Sequence, residues 1–483
     1  MQRRSGPPGG AVSQFGAAQS VAGTPPWSPG WGARAYAAAP NGTDASPGIL
    51  TGVQWTVPFV AVLAYIVAVT TYRLPIGSPA MIAGLVGLAF QSEPRRFPGL
   101  LAWFAAFILW CAFGYIHTSY PDRTWDGLVA LLKLWAIVLV FVNALRSWAH
   151  VRFFIVFFLA CFALYPLRGA LENYFVYRYT VFGRAVWNQA FENPNDLAAF
   201  AVLQLAMVAA LLSLERRWWV KRGAQVGVVL LPLLILMTQS RGGFIALAVF
   251  ALGCAVGQWR RLRALFETPR RIRLTLLSVA ALIGVSFFAP DGVWTRLAGL
   301  KHLTNTEQLN EVDSEGSARQ RWEIWRVATK IIGEHQALGV GVTAYPLAHA
   351  VYARGEEFAP TAAGERDTHS TLLNLLAETG FPGTLLFLGL VISVVIGAER
   401  VRRECRRRSS PLAMPLFFLE IGLLAFFAAG TFGSFGYVAF LYIHLALIWV
   451  TTDLARHELA TSAPWRRPGT MFGNARAAHS HSS

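Results

Sequence analysis

The chain has 483 residues, of which 54% are hydrophobic and 14% charged, with a formal net charge of +16. Its mean hydropathy is +0.44, and a soluble domain of this length carries nearly twice that share of charge, so a water-soluble globular protein is excluded. The basic residues cluster in short turns (Arg95-Arg96, Arg216-Arg217 with Lys221-Arg222, Arg260-Arg261 with Arg263, and Arg402-Arg403 with Arg406-Arg407-Arg408), which is the positive-inside pattern of a membrane protein and excludes a nucleic-acid groove.

Residues 1–48 are rich in Gly, Pro, Ala and Ser and read as a disordered cytoplasmic tail without the apolar core of a cleavable signal peptide. Apolar runs long enough to cross a bilayer, which takes about 20 residues per helix, then recur through 49–455. They predict spans at 50–71, 74–92, 99–119, 125–143, 150–168, 194–213, 222–238, 241–258, 272–289, 372–397, 412–430 and 434–453. The expected fold class is therefore all-α and polytopic, with about 12 transmembrane helices. Turns 92–98, 144–149, 214–221, 259–271 and 398–411 hold nearly all the arginine clusters, whereas the opposite turns carry isolated residues such as Arg73, Arg123, Arg178 and Arg184. That bias places both termini in the cytoplasm and a large polar loop, 290–371, outside, between spans 9 and 10. Residues 456–483 read as a second disordered cytoplasmic tail. Cys111, Cys161 and Cys254 lie in apolar spans and Cys405 in a basic turn, without the spacing of a disulfide framework or a zinc site.

The long loop has structure of its own. Trp322, Trp325, Ala328, Thr329 and Ile332 recur at helical spacing and predict an amphipathic helix over 317–333. Gly339-Val-Gly341 breaks it, and a second short helix is expected from Ala344 to Arg354. Such helices lie along a membrane surface or cap a cavity.

Polar residues near the ends of the later spans are the candidates for chemistry. His369 opens the tenth span, with Asp367 two residues before it; its imidazole either caps the helix or serves as a general base near neutral pH. Arg241, in Thr238-Gln-Ser-Arg-Gly-Gly243, separates two apolar runs and is either a snorkelling span-end arginine or a ligand-holding one. Arg319 and Arg321 begin the loop helix; each is either solvated or aimed at diphosphate oxygens, which a guanidinium fork matches. They point in different directions on a helix, and spacing to Trp325 favours Arg321. Glu378 lies within the membrane by length and requires a partner, for which Arg241 is the natural choice. Asn193-Pro-Asn-Asp196 opens the sixth span, where helix capping accounts for Asn195 or Asp196 and a supporting catalytic role is the alternative. The acidic residues Asp313, Glu315, Glu365, Asp367 and Glu378 lack ligand-like spacing, so neither a metal nor another cofactor is indicated.

Four of these segments together resemble the O-antigen ligase/polymerase family of bacterial envelope glycosyltransferases: Gln239-Ser-Arg-Gly-Gly243, Arg321-Trp-Glu-Ile-Trp325, Leu338-Gly-Val-Gly341, and His369-Ser-Thr-Leu-Leu-Asn-Leu-Leu-Ala-Glu-Thr-Gly-Phe-Pro-Gly383. The resemblance runs from about 190 to 400 and includes Asn193-Pro-Asn-Asp196; the first five spans share only general hydrophobicity. It implies a GT-C-like helical bundle in the bacterial inner (plasma) membrane, acting without metal on an undecaprenyl-pyrophosphate-linked glycan at the extracytoplasmic face. It also implies that Arg241 and Arg321 hold the pyrophosphate while His369 activates an acceptor hydroxyl, with inversion at the anomeric carbon. The acceptor is lipid A-core for a ligase, another lipid-linked glycan for a polymerase, or a protein Ser or Thr for an O-oligosaccharyltransferase; the compact matched segments favour the ligase. A flippase or transporter is the competing class, but the paired halves common in transporters are not evident here.

Overall fold

The computed structural model describes residues 48–71, 74–189, 191–258 and 317–461. The expected tails up to residue 47 and beyond 461, the ninth span at 272–289 and the loop as far as 316 lie outside these residues. Regular structure in the described residues is helical, with isolated bridges at Val181–Arg184 and Trp187–Phe191.

In chain order the helices are α1 (Val57–Thr71), α2 (Gly77–Ala89), α3 (Gly99–Tyr115), α4 (Pro121–Ala144), α5 (Trp148–Phe162), α6 (Arg168–Phe175), α7 (Pro194–Leu214), α8 (Trp218–Met237) and α9 (Arg241–Gly257). After the undescribed segment come α10 (Ser317–Glu334), α11 (Tyr345–Tyr352), α12 (Thr371–Arg407), α13 (Ala413–Ala429) and α14 (Ala439–Thr461). A π-helical turn at Ala163–Leu167 joins α5 to α6 around Pro166, where the missing N–H of proline breaks the α-helical ladder.

Among the described residues, seven helical runs are long and apolar enough to cross a membrane: α4, α5 continuing into α6, α7, α8, α12, α13 and α14. Helices α1, α2, α3 and α9 are apolar but shorter. The architecture is thus a polytopic helical bundle. Helices suit that setting because they satisfy every backbone polar group internally. The last helix extends past the expected boundary at 455, to Thr461.

Helix α7 sits at the centre, buried around nearly its whole circumference, and packs against α5, α8, α9 and α13. Gly422 lets α13 close on α7, since a Cβ there would fall 2.2 Å from that of Ala206. Across from that contact Phe200 of α7 stacks on Phe440 of α14 with ring centroids 3.7 Å apart. The arginine-bearing turns gather at one end of the bundle: Arg96 N–H donates to Asn143 Oδ1 at 2.7 Å, its Nη1 lies 3.5 Å from Asp453, and Arg408 reaches the Leu459 carbonyl. The candidate residues lie at the opposite ends of these helices.

Candidate active site

The site is organised by a break in a spanning helix. Helix α12 is two helices joined at Gly380 (φ 66°, ψ −175°), with Pro382 just beyond. The break leaves carbonyls without intrahelical donors, and other segments supply them: Val340 N–H to Ala377 O at 2.9 Å, Gly341 N–H to Glu378 O at 3.0 Å, and Trp110 Nε1 to Thr379 O at 2.9 Å. Phe381 N–H in turn donates to Gln336 O at 2.8 Å. Gly339 makes this docking possible: its φ is 67°, and a Cβ would stand 2.3 Å from the Glu378 carbonyl carbon. The loop helices are fastened to the bundle by the same contact, through a small core of Val327, Ala328, Ile331, Val340, Tyr345 and Ala377.

Glu378, only 2% exposed, belongs to this joint. Its Oε1 accepts the Tyr345 backbone N–H at 3.2 Å, and its carboxylate faces the Tyr437 hydroxyl. The partner expected from sequence was Arg241. The structure instead gives Glu378 Oε1 a backbone N–H and leaves Oε2 without a hydrogen-bond partner, with no ion pair to Arg241.

His369 stands at the head of α12 with a positive φ (49°), uncommon for a non-glycine residue. Hydrogen bonds of its neighbours hold it on both sides. Thr368 O accepts Trp325 Nε1 at 2.8 Å and Thr368 Oγ1 meets Ser434 Oγ at 2.9 Å, while Thr371 Oγ1 donates to Gly433 O at 2.8 Å. The half-buried imidazole directs Nδ1 toward Asp367 Oδ2, 3.5 Å away. Burial lowers its pKa below the usual 6.5; Asp367 opposes that shift, and the charges of Arg321 and Arg366 add to it. Arg321 is half-buried on α10, four residues before the Trp325 that bonds Thr368, whereas Arg319 is exposed. Asp367 also lies within charge reach of Asp196 on α7, of Tyr345 and of Glu378.

Arg241 is the first residue of α9 and is 5% exposed. Ser240 caps the helix by accepting Gly243 N–H at 3.1 Å, and its hydroxyl donates to Asn195 Oδ1 at 2.8 Å. One route of contacts connects this corner to His369 across the 429–435 turn: Gly242 abuts Ala429 and Phe432, Phe432 packs on Trp325 at 6.4 Å between centroids, and Gly433 and Ser434 bond Thr371 and Thr368. Arg241 and His369 thus flank one turn, with Arg321 four residues from the tryptophan that touches it. Among the described residues no three His, Cys, Asp or Glu side chains gather as a metal-ligand set.

Many of the segments that meet here, though not α7 or the 429–435 turn, fall between α8 and the first part of α12. Residues 226–388 match the O-antigen ligase family. No curated protein matches the chain. The O-antigen ligase match contains Arg241, Arg319, Arg321, Asp367, His369 and Glu378, and leaves Asn195 and Asp196 outside. It supports a glycan-transfer role of the ligase/polymerase kind.

Two local expectations around the ligase-like segment are corrected. The cap of α7 is Asn193, whose Oδ1 accepts Asn195 N–H at 2.9 Å, so Asn195 is released to bond Ser240. Helix α10 turns Ile324, Val327, Ala328 and Ile331 inward, while Trp322 and Thr329 are exposed and Trp325 and Ile332 are half-buried. The expected face was off by roughly one residue step because Trp325 spends its apolar ring and N–H on the 432 turn and Thr368. Sequence reasoning also passed over Arg184, which is 8% exposed and bonds Thr238 O at 2.8 Å through Nε and Asn195 Oδ1 at 2.9 Å through Nη2. As a lone arginine in a polar connection, it carried no signal beyond the neighbouring Gly183.

Proposed function

We propose that this protein transfers an oligo- or polysaccharide from undecaprenyl pyrophosphate to an acceptor hydroxyl at the extracytoplasmic face of the bacterial inner membrane, with lipid A-core as the acceptor. Arg321 and Arg241 hold the donor diphosphate as it becomes the leaving group. His369 removes the acceptor proton. The acceptor oxygen bonds to the anomeric carbon, the bond from that carbon to the phosphate oxygen breaks, and the electron pair leaves with the diphosphate. Attack from the opposite face inverts the anomeric centre.

The observation that carries this reading is the hydrogen bond from Trp325 Nε1 to the Thr368 carbonyl at 2.8 Å. It ties the loop helix that carries Arg321, four residues before the tryptophan, to the head of the spanning helix beside His369. Fixed cations beside a base in a partly desolvated corner are what sugar transfer from a diphosphate requires: stabilisation of negative charge on the leaving group and a group able to take a proton. Asp367 beside Nδ1 favours the tautomer with its proton on that nitrogen, leaving Nε2 to accept the hydroxyl proton. Two guanidinium groups supply the positive charge, so the reaction runs without a divalent metal. The donor's lipid tail enters laterally between spans.

The test is transfer in vitro from the lipid-linked glycan to lipid A-core, to a second lipid-linked glycan and to a Ser/Thr peptide, each with and without chelator. Product on lipid A-core, unchanged by chelator, is expected. Product only on the second glycan or on the peptide reassigns the acceptor, and loss with chelator removes the metal-independent mechanism.

A further inference from the structure

We infer that Arg184 is a positioning residue for Arg241, setting its direction by holding the α8–α9 turn from which Arg241 emerges. This rests on the reading of Arg241 as a donor ligand and adds a residue outside the segment that matches the ligase family.

Three consecutive residues grip that turn. Gly183 O accepts Gln239 Nε2 at 3.1 Å, Arg184 Nε donates to Thr238 O at 2.8 Å, and Ala185 N–H donates to Met237 O at 3.0 Å. The carbonyls of Met237 and Thr238 close α8 and have no helical donors of their own, so these bonds meet a need the helix cannot. The turn itself is strained, with Gln239 at φ 49°. Arg184 does more than cap a helix, because its Nη2 also reaches Asn195 Oδ1, the atom that accepts the Ser240 hydroxyl. One guanidinium therefore fixes the residue three before Arg241 directly and the residue just before it through Asn195. The planar fork of Arg184 serves both acceptors at once, which a single ammonium cannot do in the same way.

The test is a double-mutant cycle on transfer from undecaprenyl-pyrophosphate-linked glycan, with donor and acceptor varied separately. Arg184→Gln is expected to raise the donor KM about tenfold and leave the acceptor KM unchanged. In an Arg241→Gln background it is expected to add nothing, because it acts only through Arg241. Arg184→Lys falls between. Additive losses overturn the inference and make Arg184 an independent contact; a raised acceptor KM overturns it as well. If Arg241→Gln raises the donor KM and Arg184→Gln does not, only the positioning role falls. If Arg241→Gln leaves the donor KM unchanged, the donor-ligand reading falls and takes this inference with it. Should Arg184→Gln not fold, Asn195→Ala removes the shared acceptor and is read by the same cycle, with the same expected and overturning results.

Discussion

His369 Nδ1 lies 3.5 Å from Asp367 Oδ2, and the backbone that brings them together holds the histidine at φ 49°. The hydrogen bonds of Thr368 and Thr371 to α10 and the 432–435 turn keep it there. A residue braced by its neighbours beside a carboxylate is what the proposed general-base role of His369 requires.

The pH dependence of transfer follows from the charges around the imidazole. Burial places its pKa below 6.5, so the base is neutral at neutral pH and activity falls as pH drops through that lowered value. Asp367→Asn removes a charge that raises the pKa and moves the acid limb of the kcat/KM profile to still lower pH. Arg321→Gln removes a charge that lowers it and moves the limb upward. A midpoint that shifts the same way in both variants, or in neither, removes His369 as the titrating group.

Arg321 and Arg319 separate by substitution. Arg321→Lys replaces a bidentate fork with a point charge beside the donor and raises the donor KM by about tenfold. Arg319, exposed, tolerates the same change within about twofold. Steady-state kinetics with varied donor decides, and the reverse ranking assigns the donor to Arg319.

Gly339→Ala tests the joint between loop and bundle. An added Cβ meets the Glu378 carbonyl carbon at 2.3 Å with φ at 67°, so a cost of about 2 kcal/mol or more is expected as a lowered unfolding temperature in detergent. An unshifted transition shows that the loop docks differently.

Glu378 separates acceptor from charge. Glu378→Gln keeps an oxygen for the Tyr345 N–H and stays close to wild-type stability. Glu378→Ala leaves that N–H unsatisfied, at a cost of about 1–3 kcal/mol. Equal destabilisation by both variants points to a role for the carboxylate charge itself.

The sequence showed the helical bundle clearly, because a lipid environment demands long apolar runs and arginine-bearing turns that no other fold class displays. Apolar helices overlap the expected spans in the described residues, but α1, α2, α3 and α9 are shorter than the seven runs long enough to cross. The Gly339 and Gly380 positions were visible as a motif, but their reason, a loop bonded to a broken helix, depends on residues distant in the chain. The same distance hid the partners of Glu378 and the grip of Arg184 on the α8–α9 turn: hydrogen bonds to backbone atoms leave no pattern in side-chain identities. The inward face of α10 was misread because Trp325 mixes an apolar ring with an N–H that Thr368 claims.

The most direct measurement is single-turnover transfer from lipid-linked glycan by His369→Ala, with donor binding measured in parallel. Transfer reduced by about 10²–10⁴-fold with donor binding intact is the predicted result, in line with the loss of a general base. Transfer at the wild-type rate contradicts the account.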